Sequence, residues 1–130
     1  MKVVIFDDEL SQQPARSQLS FHGGGVELLF FPNADDAVAI VERERPDVVL
    51  MDFSMNAERC GADAITALQA RRHNRHLSWP RLIVAISANA QANRGMLAAG
   101  ADDAVPKTHV RGYLQKLFER ERLAHREEHL

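Results

Sequence analysis

Apolar positions along this chain follow two alternating patterns. Short runs with little polar interruption occur at 3–6 (VVIF), 26–31 (VELLFF), 47–53 (DVVLMDF, apolar at 48–51) and 81–88 (RLIVAISA). Runs this short and this rich in β-branched residues suit strands buried on both faces. A brief fifth strand is expected at Ala104 and Val105, just before Pro106 and Lys107. Between the runs, apolar residues recur at helical spacing. A weak helical stretch covers about 12–20, with Pro14 tolerable only in its first turn. The next helix is expected to start at Asn33 as N-cap, with Asp35 and Asp36 in its first turn, and to stop at Pro46. Its apolar face is Ala37, Val38, Ile40 and Val41. Two more are expected from Ala62 to about Arg72 and from Asn89 to about Ala99, the second closed by Gly100. The last begins near Thr108 and carries the stripe Val110, Tyr113, Leu114, Leu117 and Phe118.

Strand and helix therefore alternate along the whole chain. Mostly apolar strands need helices on both faces, so the sheet should be parallel and the fold a doubly wound α/β domain. The 130 residues fit one such domain, expected over 1–118, with 119–130 as a charged helical extension or tail. Residues 118–130 are rich in both charge signs, and pairs such as Glu119–Arg122 and Glu121–His125 support either a frayed extension or a dimer or partner contact.

Composition narrows the function. The net charge of −2 leaves no overall electrostatic footprint for nucleic acid. No apolar run is long enough to span a membrane, and the N-terminus has no signal-peptide pattern. A single cysteine permits no internal disulfide, so the expected setting is cytoplasmic.

In open parallel sheets, ligands sit outside the carboxyl ends of the strands. Those ends supply Asp7 and Asp8 after strand one, Asp52 after strand three, Ser87 after strand four and Lys107 after strand five. Carboxylates about 4 Å apart repel by roughly 4 kcal/mol at an effective dielectric of about 20. Without a cation, at least one would have its pKa raised. Lys107 cancels one charge of three, and a divalent metal would supply the rest. All-oxygen ligands with no His or Cys nearby favour a hard ion, and a shallow, watered site favours Mg²⁺. The metal and Lys107 would attract a phosphoryl group, with Asp52 placed to attack it and form an aspartyl phosphate. Ser87 could then hydrogen-bond a phosphoryl oxygen. Each residue alone is ordinary strand-end polarity; the set in this order is what carries weight.

With these residues in view, the chain resembles the receiver domain of bacterial two-component response regulators. The matching stretches are FDDE (6–9), PDVVLMDFSM (46–55), AISA (85–88) and GADDAVPK (100–107). The spacings also match, with 44 residues from Asp8 to Asp52, 35 on to Ser87 and 20 on to Lys107. The resemblance implies a flavodoxin-like five-stranded sheet of order 2-1-3-4-5. It implies that Asp52 is the phosphoacceptor, that Asp7 and Asp8 bind the metal with Asp52, and that the backbone carbonyl of Ser54 is a further ligand. Ser87 matches the hydroxyl that moves toward the phosphoryl group, and Lys107 the lysine that pairs with it. Ala88 matches a position kept small; Ser54 and Asn89 match positions that tune dephosphorylation. The phosphoryl donor would be a histidine kinase or phosphotransfer protein. With no effector domain following, the output would be a downstream protein partner, or the domain would be a phosphate shuttle or sink with weak self-catalysis.

The chain departs from the family at four places, one of them the loop to Gly61, which runs about one residue longer than usual. Asn56 stands where a Pro is usual, Lys107 is followed by Thr108 with Pro106 before it, and Ala104 replaces the aromatic switch residue of strand five. In the family, hydroxyl movement and aromatic rotation are coupled and reshape the face around strand five. These departures motivate a second reading, a pseudo-receiver that binds partners regardless of phosphate. A third, a Mg²⁺-dependent phosphohydrolase using Asp52, is opposed by the lack of a D-x-D motif and of a cap. HGGG (22–25) reads as a plain turn, since no G-x-S-x-G accompanies it. His73 and His76 read as part of a solvated basic connector with Arg71, Arg72 and Arg75, and Cys60 as an ordinary thiol. With residue 104 lacking its ring, the response to activation should concentrate in helix 89–99 and the loop before it. Amide chemical shifts recorded with and without activation check this, and unchanged shifts there would refute it.

Overall fold

The apolar runs become five strands, β1 (Lys2–Phe6), β2 (Glu27–Phe31), β3 (Val48–Asp52), β4 (Leu82–Ile86) and β5 (Asp103–Val105). In the computed structural model, which describes residues 1–12, 26–53, 61–74 and 80–128, they form one sheet of order β2-β1-β3-β4-β5 with every pair parallel. This is the doubly wound, flavodoxin-like order that the resemblance implies. The expected helix at about 12–20, the HGGG turn and residues 54–60, with Ser54, Asn56 and Cys60, lie outside the described residues, as does His76.

Four helices cover the sheet among the described residues: α1 (Ala37–Glu44), α2 (Gly61–Asn74), α3 (Ala90–Ala99) and α4 (Val110–Glu128). Alternate strand residues feed two separate cores. Val4, Phe6, Val49, Met51, Ile83 and Ala85 pack with Val41, Ile65, Leu68 and Met96 of α1, α2 and α3. Val3, Ile5, Val48, Leu50, Val84 and Ile86 pack with Val110, Leu114 and Leu117 of α4. Each fully buried Ile, Leu, Val, Phe or Met contributes roughly 1.5–3 kcal/mol relative to its exposed state. The central strands β1, β3 and β4 have an apolar layer on either side, which is why their sequences do not alternate.

Two helix boundaries differ from the sequence reading. Asn33 is not the cap of α1. Its Oδ1 accepts from the Asp35 amide at 3.2 Å, and the Ala37 amide donates to the Ala34 carbonyl at 3.1 Å, so a turn intervenes and Asp36 becomes the N-cap. Asp35 and Asp36 thus precede the helix instead of filling its first turn. The second difference is at α2, which extends to Asn74, so Arg71, Arg72 and His73 are helical rather than part of a connector. Arg71 Nε pairs with Glu42 of α1 at 2.6 Å, and Arg72 makes a two-pronged bond to Asp102 at 2.9 and 3.1 Å. At the other end of the chain, α4 follows a single 3₁₀ turn (Lys107–His109) and runs past residue 118 without a break.

Gly61 opens α2 where the chain returns onto β3, its amide donating to the Phe53 carbonyl at 2.8 Å. A Cβ there would overlap the Asp52 backbone carbonyl. Because the obstruction is backbone, no side-chain rotation relieves it. Gly61→Ala should therefore destabilise the fold by about 2 kcal/mol or more, read as a lowered midpoint in chemical denaturation. An unchanged midpoint would mean that α2 does not approach β3 this closely.

Candidate functional site

The site is assembled by the ends of strands. Phe6 pairs with both Phe31 and Met51, and Asp52 with Ile86, so the carboxyl ends of β1, β3 and β4 lie level. Asp7 follows β1 and is fully buried; its amide donates to the Phe31 carbonyl at 3.0 Å. Its Oδ1 accepts from the amides of Glu9 and Leu10 at 2.9 and 3.1 Å, a side-chain turn that fixes the carboxylate. Asp7 Oδ2 is buried and makes no aligned hydrogen bond among the described residues; the Lys107 ammonium lies 3.1 Å away. Asp52 ends β3 and is 3% exposed. Lys107 Nζ donates to its Oδ2 at 3.4 Å and stands 3.6 Å from Glu9 Oε2. Ser87 is buried just past β4, its Oγ accepting from the Asn89 amide at 3.1 Å.

One carboxylate oxygen from each of Asp7, Asp8 and Asp52 lies within 4.8 Å of the other two. Of the residues expected at the site, the structure thus brings Asp7, Asp8, Asp52 and Lys107 together and places Ser87 on the adjoining loop. Thr108 in place of Pro does not keep Lys107 from reaching the acids. Ser54 lies outside the described residues. Sequence reasoning gave no role to Glu9, though it stands in the same FDDE run, nor to Gly61, whose signal was a glycine on the far side of the Asp52 loop.

Burial works first on these charges. It pushes the Asp52 carboxyl up to about 6, helped by the Asp7 carboxylate and opposed by Lys107. For Lys107, burial works to lower the pKa, but Asp7, Asp52 and Glu9 outweigh it and the ammonium is held above its ordinary value. Three carboxylates converge on one ammonium, so the cluster is short of positive charge. The donor set is three carboxylates with no sulfur or imidazole, and it includes the buried Asp7 Oδ2 without an aligned donor. Those features fit a hard divalent ion such as Mg²⁺.

A parallel doubly wound sheet with acids and a lysine at its carboxyl edge is the arrangement of a receiver domain. The chain matches the response regulator receiver domain family over residues 3–126 and belongs to it. Receiver domains are signalling domains rather than classical enzymes, and they interact with histidine kinases and downstream partners. Among solved structures, the chain is similar to the receiver domain of a sensor histidine kinase from Pseudomonas aeruginosa, which has a magnesium ion coordinated in its active-site cleft. That match has 26% identity, a TM-score of 0.70, and coverage of 92% of this chain and 94% of the other. The fold is shared with the beryllofluoride-activated N-terminal receiver domain of RstA from Klebsiella pneumoniae, at 24% identity, TM-score 0.69, and coverage of 95% and 97%. It is also shared with a chemotaxis protein of Vibrio cholerae, at 21% identity, TM-score 0.67, and coverage of 92% and 96%. A search of curated proteins returns no match. No described helix is long and apolar enough to cross a membrane.

The raised pKa of Asp52 gives a stability signature. Between its unfolded value of 3.8 and its folded value of about 6, the folded state holds the proton more tightly, so this group lowers stability as pH rises through that window. In metal-free buffer at pH 8, Asp52→Asn should therefore be more stable than wild type by on the order of 1–2 kcal/mol, with the gap shrinking toward pH 4. Saturating Mg²⁺ should narrow the gap at pH 8. Urea denaturation measures all three, and equal stability at pH 8 without metal would contradict the electrostatics described.

Proposed function

We propose that this protein is a response regulator that accepts a phosphoryl group on Asp52 from a histidine kinase or phosphotransfer protein. The observation that carries this reading is the contact of Lys107 Nζ with both Asp7 and Asp52, beside three converging carboxylates. Asp7, Asp8 and Asp52 would hold Mg²⁺, with the Ser54 carbonyl as a further ligand; the magnesium in the Pseudomonas relative's cleft supports that choice of ion. When bound, the ion supplies positive charge where the phosphoryl oxygens gather. Asp52, fixed at the end of a fully buried strand, attacks phosphorus through a carboxylate oxygen. The new bond is phosphorus to oxygen, and the bond to the donor's imidazole nitrogen or acyl oxygen breaks, leaving with its electron pair. Lys107 then exchanges part of its contact with Asp52 for the phosphoryl group, and the Ser87 hydroxyl donates to a phosphoryl oxygen. Weak self-phosphorylation and self-dephosphorylation belong to the same reading. The output is a downstream protein partner, or transfer onward as a phosphate shuttle or sink.

Ala104 supports the pseudo-receiver as a second reading, because the partly buried position on β5 carries no ring to rotate. One experiment separates the two. Incubation with Mg²⁺ and acetyl phosphate should add the mass of one phosphoryl group to the intact protein, and Asp52→Ala should abolish the addition. A wild-type protein that acquires no phosphoryl group, and whose spectra do not respond to beryllofluoride, would be the pseudo-receiver instead.

A further inference from the structure

A buried asparagine links the two loops that carry Ser87 and Lys107. Asn93 lies on the inner face of α3 beside Met96 and is only 7% exposed. Its Nδ2 donates to the Ser87 carbonyl at 3.2 Å and to the Val105 carbonyl at 3.3 Å. Ser87 thereby meets α3 twice. Its carbonyl takes the Asn93 amide, and its hydroxyl oxygen takes the amide of Asn89, whose side chain caps α3 by accepting from Gln91 and Ala92. The same Ser87 carbonyl accepts the Lys107 backbone amide at 3.3 Å. One side chain therefore ties the loop after β4, the end of β5 and α3 into a single bonded unit.

The arrangement is poor as a device for stability alone. Asn93 Oδ1 is buried and has no hydrogen-bond partner among the described residues. An unsatisfied buried acceptor is costly, and an apolar side chain of similar shape avoids that cost. What an apolar residue cannot do is hold the carbonyls of Ser87, just past β4, and Val105, at the end of β5, at a fixed separation.

We propose that Asn93 is the positioning residue of this receiver: its amide sets Ser87 against Lys107 and conveys displacement of the Ser87 loop to α3. The proposal rests on the acceptor reading of Asp52. It is tested with beryllofluoride and Mg²⁺ on the full chain, followed by amide chemical shifts, in wild type, Asn93→Leu and Asn93→Ala. In wild type, shifts at Asp52 and Ser87 should extend through α3 and to Val105, and the Asn93 side-chain amide resonances should move. In both variants the shifts at Asp52 should persist while those in α3 and at Val105 fall about fivefold. Phosphorylation by acetyl phosphate should slow at saturating Mg²⁺ with the apparent Mg²⁺ affinity unchanged, a split that simple loss of stability does not produce. Wild-type-like transmission in either variant, or a silent Asn93 side chain beside a responding Asp52, overturns this proposal alone. No response at Asp52 in the wild type overturns the acceptor reading and this proposal with it.

Discussion

The structure depends on a conflict of charge that the sheet does not allow to relax. Asp7 and Asp52 cannot swing apart, because each is continuous with a strand whose apolar residues are fully buried and whose neighbours are in register. Surface acids would rotate into water and lose their repulsion. These keep it, offset in part by Lys107, and burial, reinforced by the Asp7 carboxylate, holds the Asp52 carboxyl up at about 6. A receiver needs this frustration. An edge held in this way offers converging carboxylate oxygens on which a cation could bind.

The frame was legible in the sequence because burial on both faces leaves a plain mark. Val3–Phe6, Val48–Met51 and Leu82–Ile86 have no alternation to misread, and the first polar residue beyond each run marks the functional edge. Residues whose partners are distant in sequence were less legible. Arg71 and Arg72 look like a solvated basic stretch until Glu42 and Asp102 are placed beside them. The start of α1 was missed because Asn33 satisfies a turn amide rather than a helix amide, a choice settled by local geometry and not by residue type. Gly61 needed the return of the chain onto Asp52 to have meaning. Asn93 did leave a sign, a polar residue on the face it shares with Met96, but its partners lie just past β4 and at the end of β5.

Ala104 takes on a different significance in this setting. A rotating ring transmits by filling or vacating space, which is a matter of packing. The bonds from Asn93 transmit by direction, since a carbonyl that turns away loses its donor. Tyr113 is held to β5 by a 3.0 Å bond from its hydroxyl to Asp103, and burial followed by that bond pushes its pKa up to about 12. That ring is tied to the start of β5 rather than to the phosphoryl edge.

The two ends of α3 are anchored by unlike means. At its C-terminal end, Gly100 adopts a φ of 121° and packs so closely on α2 that a Cβ would meet Gln69 Cγ at 2.8 Å. Just beyond, Asp102 donates its amide to the Ile83 carbonyl, accepts the Ile83 amide through its carboxylate and is gripped by Arg72, which also bonds the Pro80 carbonyl. At its N-terminal end, α3 is joined to the sheet edge through Asn89 and Asn93, whose anchor is the loop bearing Ser87. If Asn93 conveys displacement of the Ser87 loop as proposed, this helix, about 15 Å long, would pivot at Gly100, with the end at the candidate site travelling farthest. The outward side chains of Gln91 and Arg94 lie toward the candidate site, and Leu97 lies close to Gly100. A protein bound across this helix would sense an angle rather than a distance.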